Sequence, residues 1–493
     1  MAFGTLLASC SSSFLDETPN GYLSPDQMEE SAKWNPSLML GQAAGIAQTS
    51  FAMGTGGTSN HDDFGQKSID IATDLMSGDM VMGGTSYGWF VSDARLLNNT
   101  RTRNRAYQIW RYYFQIIKAA NSIFDTCGGD ENMPEEGTDN RIYYGQAKAF
   151  RAYAYLNLVN LYARSYEESK NTKALPIYRT QLVNETVGFS TVEQIYAFIL
   201  KDLEDATVAL EGQSRETKKG SVGEIKDVPD EWVAYGLMAY AYLQKGEYDK
   251  AAEAALAVIE GGKYPMMTAQ EIQYSGFNSD QISSFMWAVD LTVDNSPALP
   301  TFWGHVDIFT YSYAAAGDLK LISDNLYDEI PNTDYRKKWF YPGGADDSGL
   351  DYAPCFKFYD NAMEVMGNRR WDNDEVYMRS EEMYLILAEA SARNNDLATA
   401  RVALQALLAE RDRTTAAAVA TMDKDELLEQ IYYNWRVELW GEGRGLMTLK
   451  RFKKTAVRGN NDAARAGGYQ YNWDDSRLYF EIPERETTNN PNI

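Results

Sequence analysis

The sequence predicts a mainly α-helical protein built from tetratricopeptide-like helical hairpins, an α–α superhelix, together with a loop-rich region. First, several long segments place apolar residues three and four positions apart, which is the helical period. Second, two pairs of these segments share a turn pattern typical of tetratricopeptide repeats. Third, residues 262–378 lose the helical period and become rich in glycine, aspartate and aromatic side chains.

The helical period identifies most of the predicted elements. In the segment Arg105 to Asp125, for example, Ile109, Tyr112 and Ile116 would share one face. Capping boxes at Ser190–Glu193 and Asp423–Glu426 indicate where two further helices begin. Helices are expected at 36–55, 68–81, 105–125, 144–162, 190–210, 231–244, 249–259, 381–393, 397–408 and 423–440.

The two hairpin turns have the same chemistry. One reads Gly246-Glu-Tyr-Asp-Lys-Ala251 and the other Asn395-Asp-Leu-Ala-Thr-Ala400. Glycine and asparagine adopt the left-handed conformation that ends a helix, and the alanine lets two helices approach closely. We therefore expect helical repeats mainly in residues 36–55, 105–260 and 380–450.

Residues 262–378 are expected to form an irregular face, because a long segment without helices in a helical protein is usually functional. Two glycine-rich loops, 54–66 and 83–90, precede it in the chain. Trp287 lies in an apolar, strand-like run and is assigned to the core, as are Tyr153 and Tyr155 in their helix.

The composition excludes several classes of function. With 46 Lys and Arg against 70 Asp and Glu, the net charge is −24, which would repel nucleic acid. His61 and His305 are the two histidines of the sequence, too few and too far apart for a zinc motif. Carboxylate-based chemistry stays open. The spacing of Cys127 and Cys355 leaves open whether they pair or stay reduced.

The amino terminus resembles a lipoprotein signal. Leu7-Ala-Ser-Cys10 is similar to a bacterial lipobox, in which small residues precede the cysteine that receives the lipid. We expect residues 1–13 to be the remnant of a leader with the anchor site at Cys10, and residues 14–493 to form one unit. The sequence has no run of about 18 apolar residues after this leader, so we expect attachment to a membrane without a spanning helix.

Several blocks of the chain resemble the SusD/RagB family. The helix Tyr144 to Tyr162 followed by Ala174-Leu-Pro176, and the hairpin Ala234 to Tyr264, are similar to its conserved helical blocks. Similar later blocks are Tyr377 to Arg393, Arg436-Val-Glu-Leu-Trp-Gly-Glu-Gly-Arg444, Tyr479-Phe-Glu-Ile-Pro483 and Asn490-Pro491. One departure is Asn434-Trp435, where the family usually has Glu-Arg; we expect it to alter a local packing contact.

The resemblance implies a function. Members of this family are lipoproteins on the outer surface of Bacteroidetes that hold glycans, or peptides in the RagB branch, above a TonB-dependent, SusC-like transporter. The expectation is therefore a surface glycan-binding lipoprotein of the outer membrane, with peptide capture as the alternative. The family carries no catalytic residues. A carboxylate-based glycoside hydrolase and a pure interaction scaffold are the other hypotheses.

By position, the resemblance places ligand contacts in the early loops and in the irregular region. The aromatic candidates are Tyr87, Trp89, Phe90, Trp303, Tyr311 and Tyr313, and the polar candidates are Asn60, His61, Asp62 and Asp63. Aromatic faces cover the C–H patches of sugars, and polar side chains bind the hydroxyl groups. No cofactor is expected; acidic clusters at 346–347, 372–374 and 474–475 offer oxygen ligands for structural calcium but lack the EF-hand spacing.

Overall fold

The computed structural model describes residues 27, 30–31, 35 and 37–492, except 182–185, 216–223, 297–298, 345–348 and 366–368. The expectations for Cys10 and the leader, and for the acidic pair Asp346–Asp347, lie outside the described residues.

The amino-terminal part is mostly helical, with the elements α1 Ser37–Thr49, α2 Gln66–Ser77, β1 Met80–Met82, α3 Val91–Ala94, α4 Asn104–Thr126, α5 Asp139–Tyr162, α6 Tyr166–Ser169, β2 Lys173–Pro176, β3 Phe189–Thr191, α7 Val192–Leu210, α8 Glu231–Lys245 and α9 Tyr248–Gly261. The carboxy-terminal part contains α10 Ala269–Tyr274, β4 Phe285–Val289, α11 Phe302–Val306, β5 Lys320–Ile322, α12 Asp324–Glu329, a 3₁₀ turn Tyr335–Trp339, β6 Glu375–Arg379, α13 Ser380–Arg393, α14 Leu397–Ala409, α15 Arg413–Val419, α16 Lys424–Glu438, α17 Gly445–Arg451, β7 Thr455–Val457, β8 Gln470–Asn472, a 3₁₀ turn Ser476–Leu478 and α18 Glu484–Asn489.

The long helices form a stack in which each packs on the next. Helix α1 packs on α4, α4 on α5, α5 on α7, and the order continues through α8, α9, α13 and α14. Their shared core buries Ala147, Ala154, Ala239 and Ala388 completely, and these small side chains allow close approach of the helices. The predicted fold class, mainly α with helical hairpins, is confirmed.

Both hairpin turns adopt the predicted conformation. Gly246 ends α8 with a φ of 79°, and Asn395 follows α13 with a φ of 65°. The backbone N–H of Gly246 donates to the carbonyl of Leu243, which satisfies one of the free carbonyls at the helix end.

The boundary of the second helix differs from the prediction, which continued it to Val81. Helix α2 ends at Ser77 because Gly78 takes a left-handed φ of 91°. The next residues form β1, which pairs antiparallel with β5 and aligns Met80 with Ile322. The capping box of α7 is also displaced by one residue, to Thr191 and Gln194.

Residues 262–378 are less irregular than predicted. Strand β4 pairs antiparallel with β6, and every residue of both strands is buried. Trp287 at the centre of β4 is 1% exposed, which confirms its assignment to the core. The region has its own apolar core, built around Phe277, Phe302 and Trp339.

A buried ionic network joins this region to the carboxy-terminal helices. Glu438 accepts hydrogen bonds from Arg336, Arg379 and Arg411 at 3.0, 2.7 and 2.8 Å, and all four side chains are fully buried. Asn434, at the position that departs from the family pattern, accepts a further bond from Arg336 at 2.8 Å.

Cys127 and Cys355 do not form a disulfide. Within the described part of the chain, no helix combines the length and the apolar character needed to cross a bilayer.

Candidate functional site

The loop 83–90 is fixed against the segment 317–319. The Asp318 carboxylate accepts hydrogen bonds from the backbone N–H groups of Ser86 at 2.7 Å and Tyr87 at 2.9 Å. Gly84 lies so close to this segment that a Cβ atom there would stand 1.9 Å from the carbonyl oxygen of Gly317. These contacts hold the backbone that carries Tyr87 and Trp89.

The loop 54–65 is also held from within. The Asp63 carboxylate accepts hydrogen bonds from the backbone N–H groups of Gly56 at 2.7 Å and Thr58 at 2.9 Å, and from the Thr58 hydroxyl at 2.8 Å. These hydrogen bonds hold the backbone of the loop in place. His61, which the loop carries, lies against Trp89 of the loop 83–90.

Four rings from these loops and the irregular region meet, and we call Tyr87, Trp89, His61 and Tyr313 the ring surface. The ring centroids of His61 and Trp89 are 5.3 Å apart and their planes nearly parallel, while Tyr87 meets Tyr313 edge-on at 5.2 Å. The His61 Nδ1 atom and the Tyr313 hydroxyl share a hydrogen bond. Tyr87 is 53% exposed, Trp89 and His61 are half-buried, and Tyr313 is 6% exposed. Three of the four rings therefore face solvent, supported by Tyr313.

A buried layer supports the ring surface from behind. His305 stacks on Tyr313 with a centroid distance of 4.6 Å and on Phe64 at 5.4 Å. Its Nε2 atom lies 2.9 Å from the carbonyl oxygen of His61. Burial holds the pKa of His305 well below its ordinary value, with Lys320 adding to the effect, so the ring is neutral and acts as the donor to that carbonyl.

The structure corrects two of the aromatic candidates. Phe90 is 1% exposed and Trp303 is fully buried, both within the core around Phe302. Phe90 contacts His305 edge-on, so it supports the ring surface from below. Both rings pack in the apolar core, so neither has a free face on which a sugar could stack.

The two aspartates are corrected in the same way. Asp62 is buried and bonded to Arg105 at 3.3 Å and Gln108 at 3.2 Å, and Asp63 closes its own loop. Their carboxylate oxygens already bind groups of the protein, so they are not free to bind a ligand. The half-buried Asn60 remains a candidate.

Tyr311 stands next to a cation that the sequence analysis did not select. The guanidinium carbon of the exposed Arg369 lies 4.4 Å from the centroid of the half-buried Tyr311 ring. The two residues are far apart in the chain, and an arginine in a loop gives no signal in a single sequence.

One acidic group joins Asp374, from the cluster 372–374 considered for calcium, with two aspartates that are distant in the sequence. Asp280, Asp290 and Asp374 place carboxylate oxygens within 4.8 Å of one another, in a geometry that could hold a cation. Both oxygens of Asp374 already accept backbone hydrogen bonds, from Asp280 at 2.7 Å and Leu291 at 2.8 Å. Burial raises the pKa of Asp374, and the neighbouring carboxylate of Asp280 adds to this effect.

Two family models match the chain. A family model described as "Starch-binding associating with outer membrane" matches residues 56–243, and one described as "SusD family" matches residues 324–493. The sequence matches no curated protein.

Solved structures resemble the chain over almost its whole length. A SusD-like carbohydrate binding protein from Bacteroides vulgatus is 23% identical with a TM-score of 0.73, covering 92% of this chain and 97% of its own. A SusD superfamily protein from Bacteroides thetaiotaomicron is 19% identical with a TM-score of 0.73, covering 93% and 98%. Another from Bacteroides fragilis is 21% identical with a TM-score of 0.72, covering 93% and 98%. At these identities the likeness concerns the fold.

Proposed function

Since the chain belongs to the SusD family, we propose that it is a binding protein that captures a glycan at the bacterial surface and delivers it to a TonB-dependent, SusC-like transporter. In this proposal it performs no catalysis. The lipid anchor would be attached at Cys10, in the outer membrane of a member of the Bacteroidetes, as the resemblance implies.

The ring surface is the observation that carries the proposal. Three solvent-facing rings, Tyr87, Trp89 and His61, lie within contact distance of each other or of Tyr313. Flat rings suit the C–H faces of pyranose sugars, and the half-buried Asn60 beside His61 supplies amide groups for hydroxyls. Tyr311 and Arg369 form a second ring with a polar neighbour in the irregular region.

The expected affinity suits capture followed by release. Each aromatic contact adds roughly 0.5–1.5 kcal/mol beyond area burial. A few such contacts correspond to dissociation constants from about micromolar to millimolar, or roughly 4–8 kcal/mol. Because the ligand must pass on to a transporter, a weaker site releases it faster than a tight one.

The net charge of −24 favours a neutral polysaccharide over a polyanionic one, since the field of the protein repels a polyanion. Peptide capture is the alternative within the same family. The ring surface favours sugar, because none of its four side chains carries a fixed charge that would pair with a peptide terminus.

The test is a binding screen of neutral polysaccharides and of mixed oligopeptides against the wild type, Trp89→Ala and Tyr274→Ala. Tyr274 is 60% exposed and outside the ring surface, so it controls for loss of an exposed ring. We expect one or more polysaccharides to bind the wild type and Tyr274→Ala, with at least about tenfold weaker binding to Trp89→Ala.

Binding of oligopeptides alone would replace the glycan proposal by the peptide one. Release of reducing sugar from a bound polysaccharide would mean that the chain is an enzyme. Equal binding by all three proteins would show that the ligand does not bind at the ring surface.

A further inference from the structure

A cationic pocket lies among the ends of helices, apart from the ring surface. It has a volume of about 400 Å³, and none of the side chains that line it belongs to the ring surface. Its six basic residues are Arg164, Lys245, Arg393, Lys450, Arg451 and Lys453. In a chain with a net charge of −24, such a concentration of positive charge requires an explanation.

Helix ends account for part of this charge. Helices α5, α8, α13 and α17 all end at the pocket, and the free carbonyl groups at helix carboxyl termini attract cations. Four of the basic residues are also paired with carboxylates, one of which is shared by two arginines. Arg393 and Arg451 each bond to Glu389 at 2.8 Å, Lys245 to Glu247 at 2.7 Å and Lys453 to Glu167 at 3.1 Å.

Lys450 and Arg164 are different. Among the described residues, neither has a carboxylate oxygen within 4.0 Å of its cationic nitrogen atoms. Lys450 is only 8% exposed, and its ammonium group makes one long hydrogen bond, 3.5 Å to the carbonyl oxygen of Asn160. Arg164 donates to the carbonyl oxygen of Asp474 at 3.3 Å.

Both cations stand over the same ring. The Lys450 Nζ atom is 3.8 Å from the centroid of Tyr479, and the guanidinium carbon of Arg164 is 5.0 Å from it. The hydroxyl of Tyr479 is itself buried and has no hydrogen-bond partner within the described chain. An ammonium, a guanidinium and a phenol with unused donor capacity thus line one pocket.

A buried ammonium without a counter-ion is costly, because burial removes hydration that no carboxylate replaces. Burial, together with the charge of Arg164, lowers the pKa of Lys450 to about 7. Burial raises the pKa of Tyr479 to about 12, so its hydroxyl remains a donor.

We propose that the pocket binds a compact oxyanion, a sulfate or phosphate group, either as the free ion or as the ester group of a sugar, with Lys450, Arg164 and Tyr479 as the donors. The oxyanion is the counter-ion that the Lys450 ammonium lacks, and its oxygen atoms accept hydrogen bonds from all three groups. The pocket is large enough for a monosaccharide attached to that group. This site is independent of glycan capture at the ring surface.

The first test compares thermal unfolding of the full chain in sodium sulfate and in sodium chloride at matched ionic strength, with titration calorimetry of sulfate. We expect sulfate to raise the midpoint saturably in the wild type. Lys450→Met keeps the aliphatic length and removes the charge, so sulfate should bind it at least about tenfold more weakly. Without sulfate, this variant should unfold at a higher temperature than the wild type, because an unpaired buried charge is gone.

Lys453→Met is the matched control, because Lys453 lines the same pocket but is already paired with Glu167. It should keep its affinity for sulfate within about threefold, as expected for an exposed, screened charge. If Lys450→Met does not fold, Arg164→Gln provides the second variant, since Arg164 is exposed and its replacement leaves the core intact.

The pH dependence gives a further readout. Sulfate stays doubly charged from pH 6 to 9, whereas Lys450 loses its proton above its pKa of about 7, so affinity should fall between pH 6.5 and 8.5. The charged groups around it are Arg164, Lys245, Arg393, Arg451, Lys453, Glu167 and Glu389. Lys450→Met keeps all of these, so a flat profile in that variant assigns the dependence to Lys450.

Glucose 6-sulfate distinguishes the two sources of the oxyanion. If glucose 6-sulfate binds more tightly than free sulfate, the oxyanion is the ester group of a sugar. If glucose 6-sulfate does not bind, the oxyanion is the free ion. The proposal is overturned if sulfate raises the midpoint no more than chloride does, or if it stabilises wild type and Lys450→Met equally.

Discussion

His61 and Tyr313 share a hydrogen bond between an imidazole nitrogen and a phenol oxygen, although 252 residues separate them in the chain. This bond joins the early loop 54–65 to the irregular region. Trp89 and Tyr87 pack around the same pair of rings, so a bond between distant segments determines the shape of the ring surface.

Asp318 is expected to control that shape through the loop 83–90. Asp318→Asn leaves one carbonyl oxygen for the two backbone N–H groups of Ser86 and Tyr87, so one bond is lost. The free energy of unfolding should fall by about 1–3 kcal/mol, and glycan affinity should fall as well. Asp351→Asn is the control, because Asp351 accepts a loop N–H from Gly344 at 2.9 Å and has no contact with the ring surface. Equal glycan affinity in both variants would contradict the role assigned to Asp318.

Removing the buried charge of Glu438 is expected to lower the free energy of unfolding far more than removing an exposed charge. Glu438→Gln removes the carboxylate that Arg336, Arg379 and Arg411 share in the core. Breaking a buried ion pair by removing one partner costs roughly 3–5 kcal/mol, which urea unfolding would measure. Glu429→Gln removes the 64% exposed partner of Lys454 and should cost under about 1 kcal/mol. A loss at Glu438 as small as that at Glu429 would show that the guanidinium groups find other partners.

The hairpin turn at Gly246 should depend on its left-handed backbone. Gly246→Ala meets no atom closer than 3.8 Å, so its cost is conformational, roughly 1–2 kcal/mol for a φ of +79°. Gly45 lies inside helix α1 with open space around it. Gly45→Ala should therefore stabilise the protein by about 1 kcal/mol in the same unfolding assay. The account of the turn fails if both substitutions change stability in the same direction.

Glu375 should make stability fall as pH rises towards neutrality. Burial raises its pKa from 4.5 to about 7 in the folded protein. Between these values the folded state holds a proton that the unfolded state has lost, so the free energy of unfolding decreases with increasing pH. Glu375→Gln removes this titration, and its stability relative to the wild type should increase from pH 4.5 to 7. An unchanged difference across that range would mean that the carboxyl is ionised in the fold.

The helices and both hairpin turns could be predicted because their signals are local. Apolar spacing, a left-handed residue and a following alanine all lie within a short stretch of sequence. The end of α2 differs from the prediction because Gly78 lies within an otherwise helical pattern, and strand β1 forms only by pairing with β5.

The sequence could not separate exposed from buried candidate residues, since exposure is a property of the fold. Composition identified the aromatic segments, but it could not separate the exposed Tyr87 from the buried Trp303. Neither the support from His305 nor the proximity of Arg369 to Tyr311 leaves a local signal, because each depends on segments that are distant in the chain.

The most direct measurement of the central claim is hydroxyl-radical footprinting with mass spectrometry, with and without the polysaccharide that binds best in the screen. If the ring surface carries the ligand, oxidation of Tyr87, Trp89 and His61 should fall at least about threefold on binding, as expected for rings covered by a bound ligand. Oxidation of the exposed Tyr274 should not change. Saturation with polysaccharide that leaves Tyr87 and Trp89 as reactive as before would contradict the account.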